Sequence, residues 1–308
     1  MKDHRGWVIG LLLAVVLVAC QTAAPADTEA PRIVSTTPAD SATGVTKTAK
    51  ITVQFSEPMD VVSTQAAYLS DSEGIKPDQV TFTWEDTGKR LIITPRSPLA
   101  YSPNDEYKTY AFTISTAATD KAGNPLAAAK SVSFSTLRTL NIELEGEAAL
   151  DGSVSIGGNV MADGNEVLAG YLQDDFMRGF FSFPLKDLPA DTESIIWAIM
   201  EIYSLKYDDY LGSDECDIEL IDYGDSLGGS DYGLPGMEKI TVQPKHTGWT
   251  TYVLTDWVQQ RFAAGAEHFQ VRFDFLGDTG AGTDVGYTFQ SANASSNRPV
   301  LKIAYYGP

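Results

Sequence analysis

Apolar and polar residues alternate with period two in short runs along most of the chain, and Gly, Pro, Asn or Asp bound each run. Ile51-Thr52-Val53-Gln54-Phe55, Val80-Thr81-Phe82-Thr83-Trp84 and Tyr110-Ala111-Phe112-Thr113-Ile114 each put their large side chains on one face. Such alternation predicts half-buried strands. Leu91-Ile92-Ile93 and Val132-Ser133-Phe134 read as two more, with turns at 85–88 and 120–125. Further on, Arg178 to Leu185 opens with alternation, Ile195 to Tyr203 is a long apolar strand, and Val300 to Tyr305 is a last one. Phe269 to Phe275 alternates cleanly, with Gln270, Arg272 and Asp274 on one face. A single helix is predicted over 256–262. Thr255 or Asp256 would be its N-cap, Gln259 stands at capping-box spacing, Val258 and Phe262 share a face, and Gly265 would cap its C-terminus. The pattern predicts an all-β chain, and the 289 residues left once an export leader over 1–19 is removed suggest about two domains.

The N-terminus follows a different rule. Lys2 and Arg5 precede an apolar run from Trp7 to Ala19, broken by Gly10. That run is shorter than the roughly 20 residues a membrane span needs, so it reads as an export signal that is removed. It ends Leu17-Val18-Ala19-Cys20, which resembles the lipobox of bacterial lipoproteins. The resemblance implies a signal peptide over 1–19, a diacylglyceryl thioether on Cys20 and acylation of the new amino terminus, enough buried methylenes for stable anchoring to a membrane. Gln21 to Ala30 holds no large apolar residue and reads as a flexible tether. Gln21 after the anchor, by analogy with enteric-type lipoproteins, points to the outer membrane in a cell that has one.

Residues 31–137 have the size of an immunoglobulin-type domain. Pro38-Ala39-Asp40, Gly44-Val45, Ile51 through Met59, Leu91 through Pro95, Pro98-Leu99, and Asp120 to Leu126 followed by Phe134-Ser135-Thr136 resemble the S-layer-type bacterial Ig-like domain. The resemblance implies an Ig-like β-sandwich that acts as a spacer or adhesive module, without catalytic residues. Glu57 and Asp120 within it could pair on a metal ion, but the favoured reading is strand-end and turn carboxylates bonding local backbone. A boundary with few contacts is expected at 137–141.

Residues 139–307 are too long for one Ig sandwich and suit a β jelly-roll sandwich of two antiparallel sheets. Phe180 to Leu188, Ala198 to Tyr203, Trp249 with Val253 to Val258, and Arg298 through Tyr305 resemble DNRLRE domains, as do Ile221 to Gly224 and Gln270 to Phe273. The resemblance implies a carbohydrate-binding-module-like jelly roll. It carries no ligand residue onto this chain.

Charge narrows the partners. The net charge is −19, and loss of Lys2, Asp3 and Arg5 with the leader makes it −20. Phosphate backbones are repelled by such a surface, which excludes nucleic acid. Two cysteines are present. With Cys20 lipidated, Cys216 has no disulfide partner, and its place in an alternating acidic run predicts a buried, inert strand thiol.

Candidate chemistry is sparse. Gly224-Asp225-Ser226-Leu227-Gly228 fits the G-x-S-x-G pattern, which needs a strand, a sharp turn and a helix. The residues that follow, 228–236, are too rich in Gly and Pro for a helix, and neither His246 nor His268 stands where a triad base is expected. No enzyme is expected. Oxygen ligands dominate, so calcium is the ion the composition suits, with Asp163 and Asn165 in one loop and Asp278 and Asp284 in another; plain glycine-rich turns are the competing reading. For a sugar, Tyr207 and Tyr210 in a charged loop are the expected stacking platforms, unless they are loop tyrosines with no ligand, while Tyr203, Trp249 and Trp257 are expected in the core. The expected function is polysaccharide binding through the second domain, with the first as spacer. The alternative is a structural or adhesive envelope protein that contacts other surface proteins.

Overall fold

The computed structural model describes residues 26–208, 214–277 and 284–308. The protein is all-β: an Ig-like sandwich is followed by a jelly-roll sandwich. The first unit contains β1 (Ile33–Thr37), β2 (Ala42–Val45), β3 (Ile51–Phe55), β4 (Tyr68–Leu69), β5 (Val80–Glu85), β6 (Arg90–Pro95), β7 (Thr109–Ile114) and β8 (Lys130–Thr136). One sheet runs β1-β3-β6-β5 and the other β2-β8-β7-β4. The alternating residues meet between them: Val53, Leu91 and Ile93 from the first sheet are buried opposite Phe112, Ile114 and Phe134 from the second. Each such side chain contributes roughly 1.5–3 kcal/mol of burial. A six-residue helix, α1 (Val61–Ala66), has no signal in the apolar pattern because Thr64 is its one buried residue. Its start is local chemistry: Asp60 Oδ1 accepts from the Ser63 amide at 2.8 Å.

The second unit contains β9 (Arg138–Glu145), β10 (Gly152–Ser155), β11 (Val160–Met161), β12 (Glu166–Leu172), β13 (Asp175–Pro184), β14 (Ser194–Asp208), β15 (Cys216–Ile221), β16 (Glu238–Val242), β17 (Gly248–Val253), β18 (His268–Phe275), β19 (Val285–Gln290) and β20 (Val300–Gly307). These strands form one curled sheet rather than two separate ones, along the path β16-β15-β18-β13-β12-β19-β14-β20-β9. The β12–β19 pair joins the halves at Gly170 and Gly286, which lie opposite each other. A Cβ on either would lie 2.2–2.3 Å from a carbonyl oxygen of the other strand, so this crossing requires glycine. The two halves bury Phe181, Phe183, Ile218, Leu220 and Phe273 against Met200, Ile202, Phe289, Leu301 and Ile303.

Helix α2 (Thr255–Ala263) packs on this core through Trp257 and Val258. Its ends differ from expectation at one end only. The N-cap is Leu254, without a side-chain bond. Thr255 Oγ1 and Gln259 Oε1 instead accept from the Ala198 and Ile195 amides of β14, at 3.1 and 2.9 Å, so both residues dock the helix rather than cap it. At the other end Gly265, with φ +69°, follows the C-cap Ala264. The Gly265 and Ala266 amides close the turn onto Phe262 and Arg261.

The polar face of β18 is buried, not solvated. Gln270 and Arg272 are 1% and 2% exposed. Residues 222–234 fold over them, and Leu150, Val154, Phe180, Ile221 and Tyr223 form a second small core beneath that cover. Arg272 pairs with Glu219 and donates to the Asp231 and Tyr232 carbonyls. Cys216 is a free, buried thiol; burial first, then the nearby Asp274 and Asp217, pushes its pKa up.

The junction between the units is not the sparsely contacted boundary that was expected. Leu137 alone separates β8 from β9, and it is 4% exposed. Its carbonyl accepts from Ser102, whose own carbonyl accepts from Thr139 at 3.1 Å. The Arg138 guanidinium lies 4.3 Å from the centre of the Tyr107 ring, and Tyr101 meets Tyr306 edge-on at 4.8 Å. Limited trypsin digestion is therefore expected to spare Arg138 while the protein is folded, because a held backbone does not fit a protease cleft. A dominant early cut at that bond would show the junction to be open.

Candidate functional site

The long strand β14 organises the outer face of the jelly roll. Ala198, Met200 and Ile202 point into the core and are fully buried. The intervening Trp197, Ile199, Glu201 and Tyr203 occupy the other face, because successive side chains alternate. One edge of β14 pairs with β17, setting Tyr203 opposite Trp249, Glu201 opposite Thr251 and Ile199 opposite Val253. Its other edge pairs with β20, setting Glu201 opposite Val300 and Ile199 opposite Lys302. Then β20 pairs with β9, which brings in Glu143 and Glu145.

A cleft of about 490 Å³ follows from this register. Trp249 forms one wall and is 36% exposed. Tyr203 braces it edge-on, with ring centroids 5.4 Å apart and planes at 80°. Glu143, Glu145, Glu201, Lys302 and the loop Ser295 to Arg298 line the rest. Lys302 Nζ donates to Glu201 at 2.8 Å and Arg298 donates to Glu145 at 2.9 Å. The Glu201 hydrogen bond raises the Lys302 pKa. An apolar ring with donors and acceptors of both charges beside it is a surface that stacks one face of a pyranose and bonds its hydroxyls. A larger concavity, about 970 Å³, lies on the Ig-like unit along Leu69 to Ser72, Ala111 to Thr113 and Ser131 to Ser133. It has no exposed aromatic ring, so we place the candidate site at Trp249.

Of the two tyrosines expected from sequence as platforms, Tyr207 falls elsewhere. Tyr207 lies in β14, not in a loop, and is half-buried. His246 stacks on its ring at 4.3 Å and Tyr287 packs at 4.6 Å, so its faces are occupied by protein. It is a packing residue. Tyr210 lies outside the described residues. Trp249, expected in the core, is on the surface, whereas Trp257 is buried and donates to Glu238 at 2.7 Å. On β17 Trp249, Thr251 and Val253 are exposed and Tyr252 faces the core; the alternation separates the two faces but does not say which is the inner one.

Among the described residues, Asp163 and Asn165 belong to no cluster of possible metal ligands, and of the second expected calcium loop only Asp284 is described. Asp163 and Asn165 are exposed, and Asp284 accepts from the Gln173 amide at 3.2 Å. Asp278 lies outside the described residues. Asp120 takes the turn role expected of it, accepting from the backbone and side chain of Asn124 at 2.8 and 2.7 Å. Asp27 joins Glu57 and Asp120, and burial, then Asp27 and Asp120, raises the Glu57 pKa. After the Gly224–Gly228 run comes a 3₁₀ turn, Gly229–Gly233, and Ser226 is exposed. The nearby His268 directs its two ring nitrogens to Glu147 and Asp225.

Residues 27–136 match the family model of the bacterial Ig-like domain. That stretch begins four residues before the boundary read from sequence, and Asp27 is already attached to the unit through the Asn124 side chain. Three solved structures are similar. One is PcoC, a methionine-rich copper resistance protein from Escherichia coli, at 19% identity over 35% of this chain and 99% of that one, with a TM-score of 0.26. Another is the N-terminal part of the bacterial S-layer protein SbsC, at 15% identity over 52% of this chain and 41% of that one, TM-score 0.25. The third is SGBP-B from a complex xyloglucan utilization locus in Bacteroides uniformis, at 11% identity over 88% of this chain and 72% of that one, TM-score 0.24. No curated protein matches the chain.

Proposed function

We propose that the chain is a non-catalytic surface protein that binds a polysaccharide on the outer face of its jelly roll, at the Trp249 cleft. The observation that carries this reading is the exposed Trp249 ring, braced by Tyr203 and bordered by Glu201, Lys302 and Arg298. The resemblance of this unit to DNRLRE domains supports it. In this reading Cys20 carries the lipid anchor and the Ig-like unit spaces the cleft from the membrane. Among the described residues no helix is long and apolar enough to cross a membrane.

The cleft mixes carboxylates with cations on a chain of net charge −19, so a neutral glycan is the preferred ligand class. One stacked ring on an open face buries little, and affinity on the order of 0.1 mM, or about 5–6 kcal/mol, is expected. Many copies on one cell raise the effective strength. Trp249→Ala is expected to weaken glycan binding at least tenfold, about 1.4 kcal/mol, with an unchanged melting temperature. Tyr207→Ala is expected to do the reverse: it removes a packed ring, lowers the melting temperature and leaves the cleft in place. Calorimetric titration beside thermal melts reads both, and a variant pair behaving the other way round would move the site back to Tyr207.

A further inference from the structure

We infer that the rim of the jelly roll holds a zinc-class divalent cation on His268, Asp225 and Glu267. One donor atom from each of these residues lies within 4.8 Å of the others. Ligands of one tetrahedral zinc ion, at about 2.0–2.2 Å from it, stand roughly 3.4 Å apart, so the three groups are already at near-ligating separation. This site is independent of the Trp249 cleft and of the glycan reading.

The arrangement is built from beneath. His268 opens β18 and is 8% exposed. Its Nδ1 bonds Glu147 Oε2 at 2.6 Å. That carboxylate also accepts from Ser182 Oγ at 2.6 Å, so it is committed as an acceptor and Nδ1 is the protonated nitrogen. A carboxylate behind a histidine fixes the tautomer and turns the other nitrogen outward as a metal donor. Here Nε2 faces Asp225 Oδ1 at 3.0 Å. Two acceptor atoms at that separation require a cation between them, either a proton or a metal ion.

The position of Asp225 is also enforced. Gln270, two residues along β18 and 1% exposed, accepts from the Tyr223 amide at 2.8 Å and donates to the Gly224 carbonyl at 2.8 Å. Both ends of its amide therefore hold the turn that carries Asp225. Glu267 precedes His268, and its carbonyl is held by the Lys186 amide at 3.0 Å. Asp225 and Glu267 are exposed, so an ion can enter and a water can complete its shell. One imidazole with two carboxylates is a mixed nitrogen and oxygen set, which suits zinc better than calcium with its all-oxygen shells. The ion would tie the cover formed by residues 222–234 to β18.

The test is calorimetry on the purified protein, stripped with chelator and titrated with zinc chloride and, separately, calcium chloride. One saturating zinc equivalent is expected, with calcium binding at least tenfold weaker. Asp225→Asn and Glu267→Gln, both at exposed positions, are each expected to weaken zinc at least tenfold without changing the melting temperature in chelator. Glu147→Gln is expected to weaken it 10–100-fold through the histidine. His246→Ala, at the exposed histidine beside Asp214, is expected to leave zinc binding intact. Cobalt(II) in place of zinc should show the intense visible bands of a four-coordinate ion. No saturable zinc site, or one that survives both Asp225→Asn and Glu267→Gln, or one lost with His246, overturns the assignment and leaves a proton between His268 and Asp225.

Discussion

Arg272→Met is expected to cost about 3–5 kcal/mol of stability, the largest loss from any single substitution proposed here, and to lower the jelly-roll melting temperature by roughly 10 °C. The reason is what the substitution leaves behind. Arg272 is 2% exposed, and the Glu219 carboxylate it pairs with is 16% exposed. The same guanidinium donates to the Asp231 and Tyr232 carbonyls at 3.2 and 3.1 Å, which fastens the cover formed by residues 222–234. Removing it strands one buried charge and frees the cover at once. Replacing both partners, Arg272→Met with Glu219→Met, should recover much of the loss, because a hydrophobic pair needs no compensation for desolvated charge. Thermal melts of the two variants decide it. A single variant within about 1 kcal/mol of the parent would mean that the pair is solvated and the cover is held by other contacts.

Cys20→Ser is expected to move the protein out of the membrane fraction or to leave it as an uncleaved precursor. The net charge of −19 repels anionic lipid, and among the described residues no helix is long and apolar enough to cross a membrane. Fractionation with detergent extraction reads the outcome, and intact mass on the parent shows the acyl chains. Full membrane retention of the serine variant would remove the lipoprotein reading.

The strands were legible because their period was. Ile51–Phe55 coincides with β3, and the runs at 80–84, 91–93, 110–114 and 132–134 fall within β5, β6, β7 and β8. Helix α1 was not, since six residues with one buried threonine leave no stripe. The polar face of β18 marks a physical limit of the pattern: alternation reports which side chains are polar, not which are wet, and only the fold of 222–234 over Gln270 and Arg272 makes that face dry. The same limit governs the sites. Trp249 stands on a strand where either face is apolar enough to be the inner one, and Tyr252 turned out to face the core. Tyr207 adjoins a charged stretch in sequence yet stacks on His246, a residue from another strand connection. The His268 cluster draws Glu147, Ser182 and Asp225 from three separate segments, a juxtaposition that spacing along the chain does not encode.

The most direct test of the central claim is a glycan array probed with the purified protein, followed by calorimetry on the best neutral polysaccharide, parent against Trp249→Ala. Saturable binding near 0.1 mM, about 5–6 kcal/mol, is expected for the parent and fades in the variant while its melting curve stays in place. Absence of binding to every glycan, or binding that Trp249→Ala leaves untouched, would contradict it and favour a purely structural role at the cell surface.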